Sequence, residues 1–433
     1  MPHHLVYFAI FLFSKDSFNP WIVTLINNSQ RFFYGWVILA VGVGVVFAAL
    51  GLARFGYTLV LPSMQRGLDI ANTQAGVLAT ANLVGYLLLS LVGGALATRF
   101  GPRVVIAAGL AIAGFGMLMT GFAQGFLMVT LWRGLTGVGS GASNVPVMGL
   151  LSSWFGKRKR GFATGIAASG SSVGLILLGL TVPRLLGFYG DSGWRMCWYL
   201  MGGVALFIAM CAAILLRNHP SEKGTKAHGE DDISVAIPGH PSSTSQGLAS
   251  IYTSPAVWFM GLIYVAFGFS YIIYVTFFFK HLITEGGYTR ESAGNLFMLI
   301  GWLSLFCGVL WGSVSDWLGR KYALAIVYVI QAASFSLFAL WAEPTGFILS
   351  TILFGLTAWS IPAIMAAACG DAFGAKLAPA ALGFITLFFG IGQALGPSVA
   401  GAIADSAGTF NPAFLLAGIV ALLGGIGSLF LKT

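Results

Sequence analysis

Charge is what this sequence has least of. Only 8% of its 433 residues are charged, against about 25% in soluble domains. With 57% of the residues hydrophobic, a soluble globular chain is excluded. Acids are the scarcer sign, 13 against 22 Lys and Arg. Cysteine is rare too. Cys197, Cys211, Cys307 and Cys369 lie in or at the ends of apolar runs, and none forms a CxxC pair. They read as small core residues, not as disulfides or metal ligands. The six histidines avoid the middle of every long apolar run. No metal or cofactor site is expected. The sequence shows no His/Cys/Asp cluster, nucleophile elbow or phosphate loop in a plausible place, so an enzyme is the weakest reading. The basic run 157–160 (KRKR) reads as an anchor on anionic lipid headgroups. Nucleic-acid binding has no support.

What is present is long apolar runs. Twelve helical stretches are expected near 34–62, 72–98, 103–123, 126–151, 161–185, 193–216, 254–281, 291–315, 321–341, 345–369, 379–404 and 410–431. Each is near or above the roughly 20 residues that a bilayer requires. Residues 1–30 hold a shorter run, LVYFAIFLF, without a signal-peptide pattern, and are expected to be an interfacial or disordered extension. The only long polar segment lies within 217–250 and reads as a cytoplasmic linker. The chain therefore divides into six-helix bundles at 31–216 and 251–433. The expected fold is an all-α membrane protein of twelve transmembrane helices in two pseudo-symmetric bundles. With both termini cytoplasmic, fifteen of the 22 Lys and Arg fall inside and five outside, as the positive-inside rule requires.

The halves match at one fixed offset. Gly94, Thr98, Arg99, Gly101 and Arg103 in GGALATRFGPR lie 218 residues before Gly312, Asp316, Trp317, Gly319 and Lys321 in GSVSDWLGRK. Ala75-Gly76 matches Ala293-Gly294, Phe155-Gly156 matches Phe373-Gly374, and Gly165 matches Gly383. Repeats of this kind place a substrate near the bilayer midplane between them. The two charged turns have a mechanical reading. An acid there can meet helix N-termini or basic groups, and breaking that contact lets the bundles rock. Gly94, Thr98, Arg99, Gly101, Arg103, Gly312, Asp316, Gly319, Arg320 and Lys321 are the expected gating residues. Thr98 replaces an acid, so the second turn is expected to carry more of the gate.

These turns resemble the paired signature loops of the major facilitator superfamily, roughly G-x-L-x-D-R-x-G-R-[KR]. LWRGLTGVGSG, with Arg133, Gly137 and Gly141, is similar to its helix-4 motif. ARFGYTLVLPSM and FGFSYIIYVTFF look most like the bacterial YbfB-type branch. FYGWVILAVGV and GWRMCWYLMG also resemble oxalate/formate and monocarboxylate porters. The resemblance covers about Arg31 to Thr433. It implies the major facilitator fold and rocker-switch alternating access in a bacterial inner membrane. It also implies a proton-coupling role for Arg133, beside the simpler role of holding backbone carbonyls.

Two arginines, Arg54 and Arg133, lie inside spans, and no acid lies near the middle of one. An unpaired intramembrane cation is costly and is a functional residue by default. Its planar fork suits a carboxylate. The expected cargo is a small organic anion, moved by proton symport. The candidate substrate-binding residues are Arg54, Tyr57, Asn82, Tyr86, Arg133, Tyr271, Tyr274, Thr276, Asn295, Trp302 and Gln393. Aromatics in spans are also packing and belt residues, whereas amides in apolar helices need partners. The rival within transport is efflux of amphiphilic or aromatic compounds, suggested by 14% aromatic residues. A rival of another class is a transporter-like sensor without turnover. Besides cargo and protons, the expected partner is the lipid bilayer, with the chain a monomer.

Overall fold

The computed structural model describes residues 33–156, 159–225 and 251–431. Nearly all of them are helical. In chain order the spans are α1 Gly35–Leu68, α2 Asn72–Phe100, α3 Pro102–Phe122, α4 Phe126–Trp154, α5 Arg160–Tyr189 and α6 Gly193–Leu215, then α7 Pro255–Thr284, α8 Arg290–Leu318, α9 Arg320–Leu340, α10 Pro344–Gly374, α11 Ala380–Ala407 and α12 Asn411–Ser428. Eleven are long and apolar enough to cross a membrane. The exception, α4, has 29 residues. Its Gly, Ser, Thr and Asn content around Arg133 dilutes its apolar character. The expected leader 1–30 lies outside the described residues. So does most of the expected linker, although 217–225 is ordered against α3 and α4. Arg103 N donates to Asn218 Oδ1 at 2.9 Å, and Trp154 Nε1 to the Arg217 carbonyl at 3.0 Å.

The expected helices are all present, and three differ in detail. α1 runs to Leu68, six residues past its expected end, and its centre, Phe47–Phe55, is a π-helix. α10 is interrupted at Ala358–Trp359. The expected loop between α10 and α11 shrinks to a kink at Gly374, at φ 70° and ψ 167°. The turns after α2 and α8 both rest on a glycine at positive φ, Gly101 at 85° and Gly319 at 89°. Residues with a Cβ avoid that conformation, which explains the glycine in both matched turns.

Close approach explains the helix-4 motif. A Cβ at Gly137 would overlap the Asn82 carbonyl oxygen, and one at Gly141 the Tyr86 carbonyl oxygen. Small residues let two spanning helices touch along their backbones. The second half packs instead around aromatics. Tyr274 is buried among Phe278, Phe335, Phe338, Phe354 and Phe414.

The halves meet along two main seams, α2 on α11 and α5 on α8, with α1 also touching α7. In the first seam Asn72 meets Gly401, Gly76 meets Pro397, Thr80 meets Ala394 and Ser398, and Leu87 meets Gly390. In the second, Arg290 meets Leu186, Gly294 meets Gly179 and Pro183, Gly301 meets Ser172, and Ser304 meets Ser172. The seams are images of one another. Gly76 and Gly294 are 218 residues apart, as are Ser172 and Gly390. Both seams start at the rim that carries the α1–α2 and α7–α8 connections, and their contacts thin out at mid-depth. Toward the other rim, Gly94, Gly165, Gly312 and Gly383 would meet nothing within 4 Å among the described residues. One rim is sealed and the other parted.

Candidate functional site

The end of the seams leaves a cavity of about 160 Å³ between the halves. Arg54 lines it from α1, Tyr86 from α2, Tyr271 from α7 and Gln393 from α11. Arg54 reaches it through the π segment, where the widened turn changes the phase of α1. Irregular backbone of this kind is tolerated in a membrane where it lines a cavity, and π turns cluster at functional sites. Gly51 and Gly174 allow the segment to lie directly on α5.

The Arg54 guanidinium is held on one side only. Nη1 donates a long hydrogen bond to the Tyr271 hydroxyl at 3.4 Å, and the cation lies 4.6 Å from the Tyr86 ring centre. Nη2 is buried and has no partner among the described residues. Gln393 Nε2 also donates to the Tyr271 hydroxyl. Asn144 Nδ2 donates to the Tyr86 hydroxyl at 2.9 Å. No acid is among the lining residues, and Arg54 is the only charge.

A second layer sits behind. Arg133 Nη1 donates to the Ala53 carbonyl at 2.8 Å, directly before Arg54 in the chain. Its cation lies 4.8 Å from the Tyr57 ring centre and 5.0 Å from that of Trp198. Asn82 donates to the Arg133 carbonyl at 3.1 Å, and Tyr57 to the Ala75 carbonyl at 2.7 Å. Arg133, Tyr57 and Asn82 are buried and are not among the cavity's lining residues. Tyr57, an expected substrate-binding residue three positions beyond Arg54, is turned away from the cavity, and the π segment ends between the two.

Other expected residues lie elsewhere. Tyr274 belongs to the aromatic core and bonds to Ser350 at 2.8 Å. Thr276 is buried in α7 and does not line the cavity. Asn295 and Trp302 are exposed, because α8 turns Gly294, Phe297, Gly301 and Ser304 toward the protein and these two lie on the opposite face. Sequence reading missed Trp359, Phe267, Phe389 and Asn144. Trp359 had a signal, a tryptophan three residues before Pro362 in the middle of a span. Asn144 had the same signal as Asn82, an amide within an apolar helix.

The turn residues differ between the halves. Thr98 donates to Ala95 of its own helix at 2.7 Å, and Arg103 Nε to the Ala213 carbonyl at 2.8 Å. In the second half Arg320 pairs with Asp316 at 2.5 Å and with Asp371 at 2.8 Å. Arg99 and Lys321 lie over the rings of their neighbours Phe100 and Tyr322. At the sealed rim Asp405 accepts from Asn72 N at 3.0 Å, Thr73 N at 2.7 Å and Thr73 Oγ1 at 2.6 Å. Lys280 donates to Gln65 and Asn72 beside it. Glu285 joins α7 to the start of α12. Desolvation raises its pKa, but the imidazole of His281 beside it and hydrogen bonds from Thr409 and Phe410 N outweigh this and hold it below the ordinary carboxylate range.

A cavity between two six-helix halves, at mid-depth along matched seams, lies where repeat-built transporters place their substrate site. The family model described as "Uncharacterised MFS-type transporter YbfB" matches residues 46–429. The chain belongs to the MFS-type transporter YbfB family. It is therefore a membrane transporter of the major facilitator superfamily, not an enzyme. Human monocarboxylate transporter 11 is 25% identical over 409 residues, covering 90% of this chain and 81% of that one. The hexuronate transporter of Bacillus subtilis is 23% identical, covering 86% and 88%. A solved bacterial homologue of the human lysosomal transporter Spinster, inward-facing and unoccupied, superposes with a TM-score of 0.69 at 16% identity, covering 93% and 95%. At that identity the likeness speaks for the fold.

Proposed function

We propose that this transporter carries a small organic anion across a bacterial inner membrane by rocker-switch alternating access and proton symport. The observation that carries the reading is Arg54 Nη2, a buried donor with no partner among the described residues, in a cavity with no acid among its lining residues. A carboxylate would complete it with charge-assisted hydrogen bonds. Two relatives whose names specify monocarboxylates and hexuronates support the same class. The rocking bodies are 31–216 and 251–433, joined by the linker 217–250, and the chain works as a monomer. The parted rim carries the basic turns, so the positive-inside rule assigns it to the cytoplasm and makes this the inward-open state. The binding set is Arg54, Tyr86, Tyr271 and Gln393, with Tyr57, Asn82 and Arg133 supporting it from behind. The proton enters on the substrate carboxyl or at Asp405.

A bound ligand stabilises the folded state by mass action. Organic anions are expected to raise the melting temperature of the purified protein, and Arg54→Ala to abolish that rise. Equal stabilisation of both proteins by cationic dyes would instead favour efflux of amphiphilic compounds. Saturable binding with no accumulation in vesicles would favour a sensor.

A further inference from the structure

The walls around Arg54 narrow the class of anion, and this step rests on the anion reading above. Six lining residues are aromatic: Phe55, Tyr86, Phe267, Tyr271, Trp359 and Phe389. Phe267, Tyr271 and Phe389 form a stacked slab, with centres 4.8–5.8 Å apart and planes within 19°. Trp359 stands edge-on to Tyr271, with centres 6.0 Å apart. The space beside this slab is about 160 Å³. An apolar cavity of about 150 Å³ takes one benzene ring.

The polar side is as restrictive. The hydroxyls of Ser90, Ser171 and Thr386 donate to carbonyls of their own helices, and the Trp359 indole donates to Ser172. Besides Arg54, the Tyr86 and Tyr271 hydroxyls each keep a proton to donate, since the first accepts from Asn144 and the second from Arg54 and Gln393. A second carboxylate would find no second cation, and an ammonium no acid, among the lining residues. Several sugar hydroxyls would exchange water for ring faces, which costs free energy for each unpaired group.

We infer that the cargo is an aromatic monocarboxylate, its one carboxylate on Arg54 and its ring against the Phe267–Tyr271–Phe389 slab. It carries neither an ammonium nor a second acid. This separates the chain from the hexuronate relative.

The test is calorimetric titration of the purified full-length protein with benzoate, propionate, phthalate, phenylalanine and glucuronate. Benzoate is expected to bind at least tenfold more tightly than each of the others. Phe389→Leu is expected to weaken benzoate at least fivefold and propionate by no more than about twofold. If propionate, phthalate, phenylalanine or glucuronate binds within tenfold of benzoate and that binding is lost in Arg54→Gln, the aromatic inference fails and the anion reading stands. If no carboxylate binds, or if Arg54→Gln binds benzoate as the parent does, both fail. The ligand panel on the parent decides the matter even if a variant does not fold.

Discussion

Arg54 and Arg133 are both intramembrane arginines, yet they do different work. Arg54 keeps a nitrogen with no partner among the described residues in the cavity, whereas Arg133 donates to the carbonyl that precedes Arg54 and is flanked by two rings. Arg133 thus acts through the backbone of α1. Replacing it by Met removes the donor and leaves the Ala53 carbonyl buried, at a cost of about 1–3 kcal/mol. Arg133→Met is expected to weaken anion binding about tenfold by loosening Arg54, while Arg54→Gln removes it. A titration of both variants checks this; undiminished affinity in Arg133→Met would confine that residue to packing. Sequence made both arginines visible, because a charge in an apolar run stands out. It could not tell them apart, since the π segment that sets the phase of Arg54 has no residue signature of its own. Tyr57 was misplaced for that reason. Trp359 was missed because a helix break is needed to turn it inward.

At the scale of the helix, the matched glycines sort by depth. Gly76 and Gly294 sit where the seams are closed, Gly94 and Gly312 where nothing among the described residues opposes them. Substitutions at the two levels should push the molecule in opposite directions. Gly76→Val would press on the Pro397 carbonyl and is expected to part the sealed rim. Gly312→Val places its Cβ within 4 Å of nothing among the described residues and is expected to hinder only the state in which the parted rim closes. Spin-label distances across each rim give the readout. Equal distances in both variants would mean that the seams do not control the conformational balance. The span boundaries behind this argument were legible to within a few residues in most helices, because apolar length and glycine punctuation determine them. The kink at Gly374 was not, because helix resumes directly beyond it.

At the scale of the molecule, the repeat read from the sequence reappears as two symmetric seams. What the repeat did not reveal is the lock on one of them. Asp405 accepts three hydrogen bonds from the start of α2, and its position 218 residues earlier is Gly187, which has no side chain to do the same. The sealed state is therefore held asymmetrically. Asp405→Asn is expected to weaken it by about 1 kcal/mol, below the range of about 1.5–3 kcal/mol for charged hydrogen bonds because the carboxylate meets water. That is roughly a fivefold shift toward the opposite state. Accessibility of a cysteine at Ser398, half-buried in this seam against Thr80, in an otherwise cysteine-free background reports it; an unchanged rate would remove Asp405 from the lock.

The single charge of the cavity also bears on energetics. One arginine accepts one negative charge; under the proposed symport one proton would accompany it, and a full turnover would move no net charge. Voltage would hasten one leg of the cycle and slow the other without changing where it stops. Accumulation is then expected to be about tenfold per unit of pH difference and indifferent to a potassium diffusion potential imposed on proteoliposomes. A carrier of this design would draw on the acidity outside the cell and remain electrically silent.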